Sequence, residues 1–334
     1  MPLRKDPLDA FVAVLVPVLA AAPARYLSDL RAGLRRRGIQ RAVRQHDTAA
    51  LFDWITMLAA EQGISNRNAL GFIDRNGNVG FDDIAADLSA SPACARLRSY
   101  WSFSECGYRK AAQTCAEPTL LPSCPLPRHE LRKGALNQAA FSLWLFVRDV
   151  CDGDFVRWTD SRLAAADPGR GVPGRSKAMR EAVLEPLNNV HGIGDKLWSM
   201  ILAELLLGGD PGRERWVATG ASMVAVDSLV HAFLVRTGTL RGAGAEHAYG
   251  PGCYGPRGCA ELIEQVSTRI DARAYHPENP ATFPRIVQFA IWNLCSEAGL
   301  DICNGRRIDD RRRCEQRSCP AFKRCERLPR HGRG

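Results

Sequence analysis

The chain ends in CNGRRIDDRRRCEQRSCPAFKRC, with Cys303, Cys314, Cys319 and Cys325 spaced C-x10-C-x4-C-x5-C. Four thiolates in one short loop suit a tetrahedral zinc ion or a [4Fe–4S] cluster, and spacing alone leaves both open. Upstream, NNVHGIGDKLWSMIL breaks a helical pattern for three residues. Gly192 and Gly194 flank Ile193, and Lys196 stands at the mouth of the next apolar run. Glycines accept backbone angles that other residues resist, so a tight turn here can point its amides outward. Those amides and the N-terminus of the following helix would make a site for an anion such as a phosphate. Leu187, Val190, Ile193, Leu197 and Ile201 would pack the two helices together. Further on, MVAVDSLVHAFLVRTG delivers Asp227 from an extended stretch to the start of a helix, a good N-cap position.

Together these pieces resemble the helix-hairpin-helix DNA glycosylases, and more closely their endonuclease III and adenine-mismatch branch. Gly192, Ile193, Gly194 and Lys196 match that family's hairpin, written GVGRK, and Asp227 matches the aspartate of its AVDTH-like segment. MLAAEQGISNRNAL resembles the LLSAQATD segment and puts Gln62 where a glutamine fills the stack left by the departed base. The family's cluster loop runs C-x6-C-x2-C-x5-C; the last interval is kept here and the first two are longer. The resemblance therefore implies a [4Fe–4S] cluster on the four C-terminal cysteines, with zinc as the alternative, and a reducing, cytoplasmic setting. It implies a monomer acting on double-stranded DNA that holds a damaged or modified base. Lys196 would attack the sugar C1′, Asp227 would stabilise the positive charge on the sugar, and a Schiff base and strand cleavage would follow. Departures from the pattern are Asp195 at a common arginine, His191 at a common proline, and a Lys196–Asp227 separation of 31 residues. Three other readings stay open: a monofunctional glycosylase, a non-catalytic DNA-binding protein on the same scaffold, and a zinc-containing nucleic-acid protein.

The elements that must carry these residues read as helices. Leu51, Trp54, Ile55, Leu58 and Ala59 share one face of 48–62, with Asp47 or Thr48 as cap. A helix from Ser65 stops at Gly77, and 136–150 is strongly apolar. Only 223–227 and residues near 79–81 suggest extended chain, so the fold class is all-α. The expected division is a helical bundle over 48–215 and a second lobe built from 1–47 plus 222–334, with the cysteine loop at 303–325 and the chemistry at the seam. Segments 167–176, 207–222 and 236–258, rich in Gly, Pro and Arg, read as loops or insertions.

Bulk composition fits this picture. The 334 residues have room for two domains, and 46% hydrophobic with 24% charged residues is ordinary for a globular chain. The apolar run from Phe11 to Ala22 reads as a core helix, because Asp6 and Asp9 precede it and Pro17 interrupts it. No uninterrupted apolar stretch is long enough to span a bilayer. The net charge is +9, and Cys303–Gly334 supplies seven of it, with eleven Arg/Lys against four acids. Such a patch favours polyanions. Arg306, Arg307, Arg311, Arg312 and Arg313 fall inside the first cysteine interval, where a metal centre would hold them toward phosphates. Cys106, Cys115 and Cys124, eight residues apart and followed by His129, have the donor types for zinc but read more simply as buried thiols. Cys295 fits the helix before the loop, and Cys253 and Cys259 carry no assignment.

Overall fold

The computed structural model describes residues 6–60, 66–104, 106–129 and 134–330. Among them every regular element is a helix, with one isolated bridge and no strand, so the chain is all-α as expected. No helix is long and apolar enough to cross a membrane. Contacts divide the chain into two compact units, residues 31–217 and residues 1–30 plus 218–334.

The central unit is built around Thr48–Ala60 and Gly134–Asp149. Asp47 Oδ1 accepts the Ala50 amide at 3.0 Å, which starts the first of these helices. Of the face read from the sequence, Leu51, Trp54, Ile55 and Ala59 are buried and Leu58 is half-buried, and Phe52 is buried as well. The helix pair Phe155–Ala166 and Arg175–Leu187 pack together, and the second of them leads into the hairpin. The segment 207–222, expected as a loop, instead contains the helix Glu214–Ser222. Trp216 anchors it: the side chain is buried and its indole N–H donates to Asp160 Oδ1 at 2.7 Å. Arg175 bridges Asp167 and Glu214 at 2.6 Å each, which ties the new helix to the 167–176 turn. A composition of glycine and arginine hid a helix held by one aromatic anchor and a charge network.

In the other unit, Pro7–Ala20 buries Phe11, Val14, Leu15, Val18 and Leu19 against Pro284–Cys295 and Cys259–Ser267. Asp6 caps it by accepting the Leu8 amide, and Arg269 pairs with Asp6 and Asp9 at 2.7 and 2.6 Å. Ser228–Arg236 also packs on Pro284–Cys295. The glycine-rich 236–258 is more ordered than its composition suggests: it holds a short helix, Thr239–Gly242, and a 3-10 turn, Pro251–Cys253.

Candidate functional site

The sequence breaks its helix at Leu187 and resumes at Asp195, as the glycines demand. Gly192 has φ +75°, a region that side chains resist, and it makes the turn. Ile193 is buried between the helices together with Leu187, Val190, Leu197 and Ile201. Gly194 is the N-cap residue and is extended, with φ −96°. Lys196 lies in the first turn of Asp195–Gly208 and is half-buried. Asp195 is held across the hairpin, its Oδ1 accepting the Asn188 side-chain amide at 2.6 Å. The His191 amide donates to Ser142 Oγ at 3.0 Å, which fixes the turn on the long apolar helix Gly134–Asp149. Burial holds the His191 imidazole below its ordinary pKa, so it is neutral near pH 7.

Asp227 belongs to the other unit. It ends the buried, extended 223–226 and caps Ser228–Arg236, its Oδ1 accepting the Val230 amide at 2.9 Å. The glycine-rich segment lies against it. The Tyr254 hydroxyl accepts the Val226 amide at 2.8 Å, and Tyr249 stands close enough for the Asp227 charge, after burial, to raise its phenol pKa. Gln62 lies outside the described residues.

One turn after Asp227, His231 opens a constellation that the sequence reading did not assemble. His231, His247, Cys253 and Cys259 bring their ligand atoms within 4.8 Å of one another. His231 Nδ1 is 3.4 Å from Cys259 Sγ and 3.5 Å from Cys253 Sγ, and His247 Nε2 is 3.5 Å from Cys259 Sγ. His247 Nδ1 faces the Ala245 carbonyl at 2.7 Å. A carbonyl only accepts, so that nitrogen carries the proton and Nε2 offers its lone pair to the cluster. Gly258 permits the approach of the two cysteines, since a Cβ there would lie 2.7 Å from the Cys253 carbonyl oxygen. The Cys259 thiol hydrogen-bonds to Cys253, which pulls Cys253 down and pushes Cys259 up. This group can hold a metal ion. The signal available in the sequence was H-x5-C-x5-C, preceded by a histidine on a helix face.

The four C-terminal cysteines line one apolar pocket with Phe233, Ile308 and Phe322. Backbone amides two residues on point at the sulphurs: Gln316 to Cys314 at 3.5 Å and Arg327 to Cys325 at 3.3 Å, with Ala321 doing the same for Cys319. The buried Arg236 donates to the Cys303 carbonyl at 3.2 Å and to its sulphur at 3.7 Å. A hydrogen bond from the Cys295 thiol, with Arg236 beside it, draws Cys303 down to about 7, while burial and the neighbouring thiols push Cys319 to about 11 and Cys325 to about 12. The four sulphurs thus share one pocket with amide donors and a guanidinium, while among the described residues the group whose ligand atoms come close enough to hold a metal ion is that of His231. Arg306, Arg307, Arg311, Arg312 and Arg313 are all exposed in this loop. Three are engaged: Arg306 with Glu297, Arg307 with Asp301 at 2.6 Å, and Arg312 with Asp309 at 3.6 Å. All twelve cysteines are free of disulfides. No protein-family model, curated protein or solved structure matches the chain.

Proposed function

We propose that this chain is a DNA glycosylase with a second, lyase activity, of the helix-hairpin-helix kind that its motifs resemble. The observation that carries the reading is the hairpin. Gly192 is required by its positive φ, but Gly194 is not, since its backbone is extended and an added Cβ would meet nothing within 4 Å. A ligand approaching the backbone is a reason to keep glycine there, and a DNA phosphate at a helix N-terminus is such a ligand. Lys196, two residues on, then lies beside the nucleotide.

In this reading the target base leaves the stack at a cost of roughly a few kcal/mol. As the bond from base to C1′ breaks, its electrons leave with the base and positive charge grows on the sugar. Asp227 commits one oxygen to capping its helix, and in this reading the other would stabilise that charge. The neutral amine of Lys196 attacks C1′ and loses its proton; the C1′–O4′ ring bond then opens, O4′ takes up a proton, and the resulting Schiff base lets β-elimination cut the strand. The Cys303, Cys314, Cys319 and Cys325 receptor fits a [4Fe–4S] cluster, which would anchor the arginine loop. The His231 group fits zinc instead. Zn–S near 2.3 Å and Zn–N of about 2.0–2.1 Å in a tetrahedron give an S···N edge of about 3.5 Å, the separation found here. A closed His2Cys2 ion would be structural and would hold the glycine-rich segment against Asp227.

The test is borohydride trapping on duplex DNA with one abasic site, followed by base release from a panel of lesions. The expected result is a covalent adduct that Lys196→Gln abolishes. Asp227→Asn keeps a capping side chain and should fold normally while losing base release by about a hundredfold or more. Base release that survives Lys196→Gln would reduce the chain to a monofunctional glycosylase. DNA binding with no adduct and no base release would leave only a binding protein.

A further inference from the structure

We propose that Cys94, Cys106, Cys115 and Cys124 bind a second iron–sulfur cluster, of the [4Fe–4S] type, in the unit that carries the hairpin. The inference is independent of the glycosylase reading. The backbone brings the four together. Cys106 and Cys115 flank a tight turn closed by the Arg109 amide to the Thr114 carbonyl at 2.7 Å and the reverse bond at 3.3 Å. The two flanks touch, since a Cβ on Gly107 would lie 2.9 Å from the Ala116 Cβ. Arg96, two residues past Cys94, pairs at 3.5 Å with Glu117, two residues past Cys115. Tyr108, two residues past Cys106, is buried near the Cys124 thiol. His129, the earlier candidate for a fourth ligand, is occupied by Asp87 at 2.6 Å, and Cys94 takes its place.

The local geometry repeats that of the C-terminal loop. The Glu117 amide donates to Cys115 Sγ at 3.2 Å, and the amides of Tyr108 and Leu126 do the same for Cys106 and Cys124. Three of the four sulphurs in each set thus accept an amide from two residues ahead. Neutral thiols are weak acceptors. Amides aimed at sulphur gain strength when the sulphur is a metal-bound thiolate. Between Phe103 and Gly134 the described residues form 3-10 turns and one isolated bridge, with Tyr108, Pro125 and Leu126 buried, and the Asn137 and Gln138 side chains hold the segment by its Leu126, His129 and Cys106 carbonyls. Among the described residues, the His231 group is the set compact enough for one tetrahedral ion. Cys124 lies within electrostatic reach of Cys94, Cys106 and Cys115, so the four thiols gather at one place, and four cysteine thiolates are the donors a [4Fe–4S] cluster takes.

The experiment counts iron, acid-labile sulphide and zinc per chain in full-length protein purified without oxygen. Wild type, Cys106→Ser/Cys115→Ser and Cys303→Ser are compared. Two clusters give about eight irons in the wild type, with about four lost in either variant. Iron unchanged by the Cys106/Cys115 substitutions overturns the proposal, and so does loss of zinc in place of iron. Should the double variant precipitate, Cys303→Ser decides alone: about four remaining irons support the second cluster, and none removes it. A C-terminal loop without iron would show separately, as no loss in Cys303→Ser.

Discussion

At the scale of single residues, the hairpin separates folding from binding. Gly192→Ala forces a side chain into φ +75° and should cost about 1 kcal/mol of stability or more. Gly194→Ala meets open space in an extended backbone and should leave the urea midpoint unchanged. In the same variant, affinity for abasic duplex should fall roughly tenfold, because the methyl group stands where a phosphate would approach. Equal loss of stability in the two variants would make the glycines mere turn formers. His191 adds a pH dependence. Burial holds its folded pKa below the unfolded value of about 6.5, so the unfolded chain takes the proton more readily. The stability this site contributes is complete above about pH 6.5 and declines as pH falls toward the folded pKa. Urea midpoints at pH 7.5 and 5.5 should differ less for His191→Asn than for the wild type, which separates this site from other groups that titrate in the same range.

At the scale of elements, what was legible in the sequence depended on how local the signal was. Thr48–Ala60 and Gly134–Asp149 could be read because their apolar residues recur at helical spacing. The C-terminal cysteines drew attention because one short loop carries all four, and they do line one pocket. Glu214–Ser222 could not, since its helix depends on Trp216 reaching Asp160, a contact made across the fold. The His231 group was hidden for a similar reason: a buried histidine on an apolar helix reads as core until the glycine-rich segment folds back onto it. That segment should depend on an ion held by this group. Chelation, or Cys259→Ser, should raise amide exchange over 243–258 while leaving Arg175–Leu187 in the other unit protected. Protection that is indifferent to metal would mean that the tyrosine contacts at Val226 and Asp227 suffice to hold the segment.

At the scale of the whole molecule, the net positive charge is concentrated in the C-terminal segment. Seven of the nine net positive charges fall in Cys303–Gly334, but the structure divides them into two classes. Arg306, Arg307, Arg312 and Arg330 are committed to Glu297, Asp301, Asp309 and Asp310, so each must exchange a carboxylate for a phosphate in order to bind DNA. The exposed pairs, Arg306–Glu297 and Arg312–Asp309, are worth about 0–1 kcal/mol, so exchange there is cheap but yields little net gain, whereas Arg330 and Asp310 are half-buried. Arg311 and Arg313 are exposed on the same loop and lie outside those pairs. Only cations that give up counterions on binding add to the salt dependence of affinity. Arg311→Ala/Arg313→Ala should therefore reduce the slope of log K against log salt by about two, nearly equally for every DNA sequence. Arg306→Ala/Arg307→Ala should reduce it by less, because the liberated Glu297 and Asp301 also repel phosphate. Measured by fluorescence anisotropy across a salt series, equal slopes for all three proteins would place the DNA contact elsewhere on the chain, and the basic loop would then serve the metal centre alone.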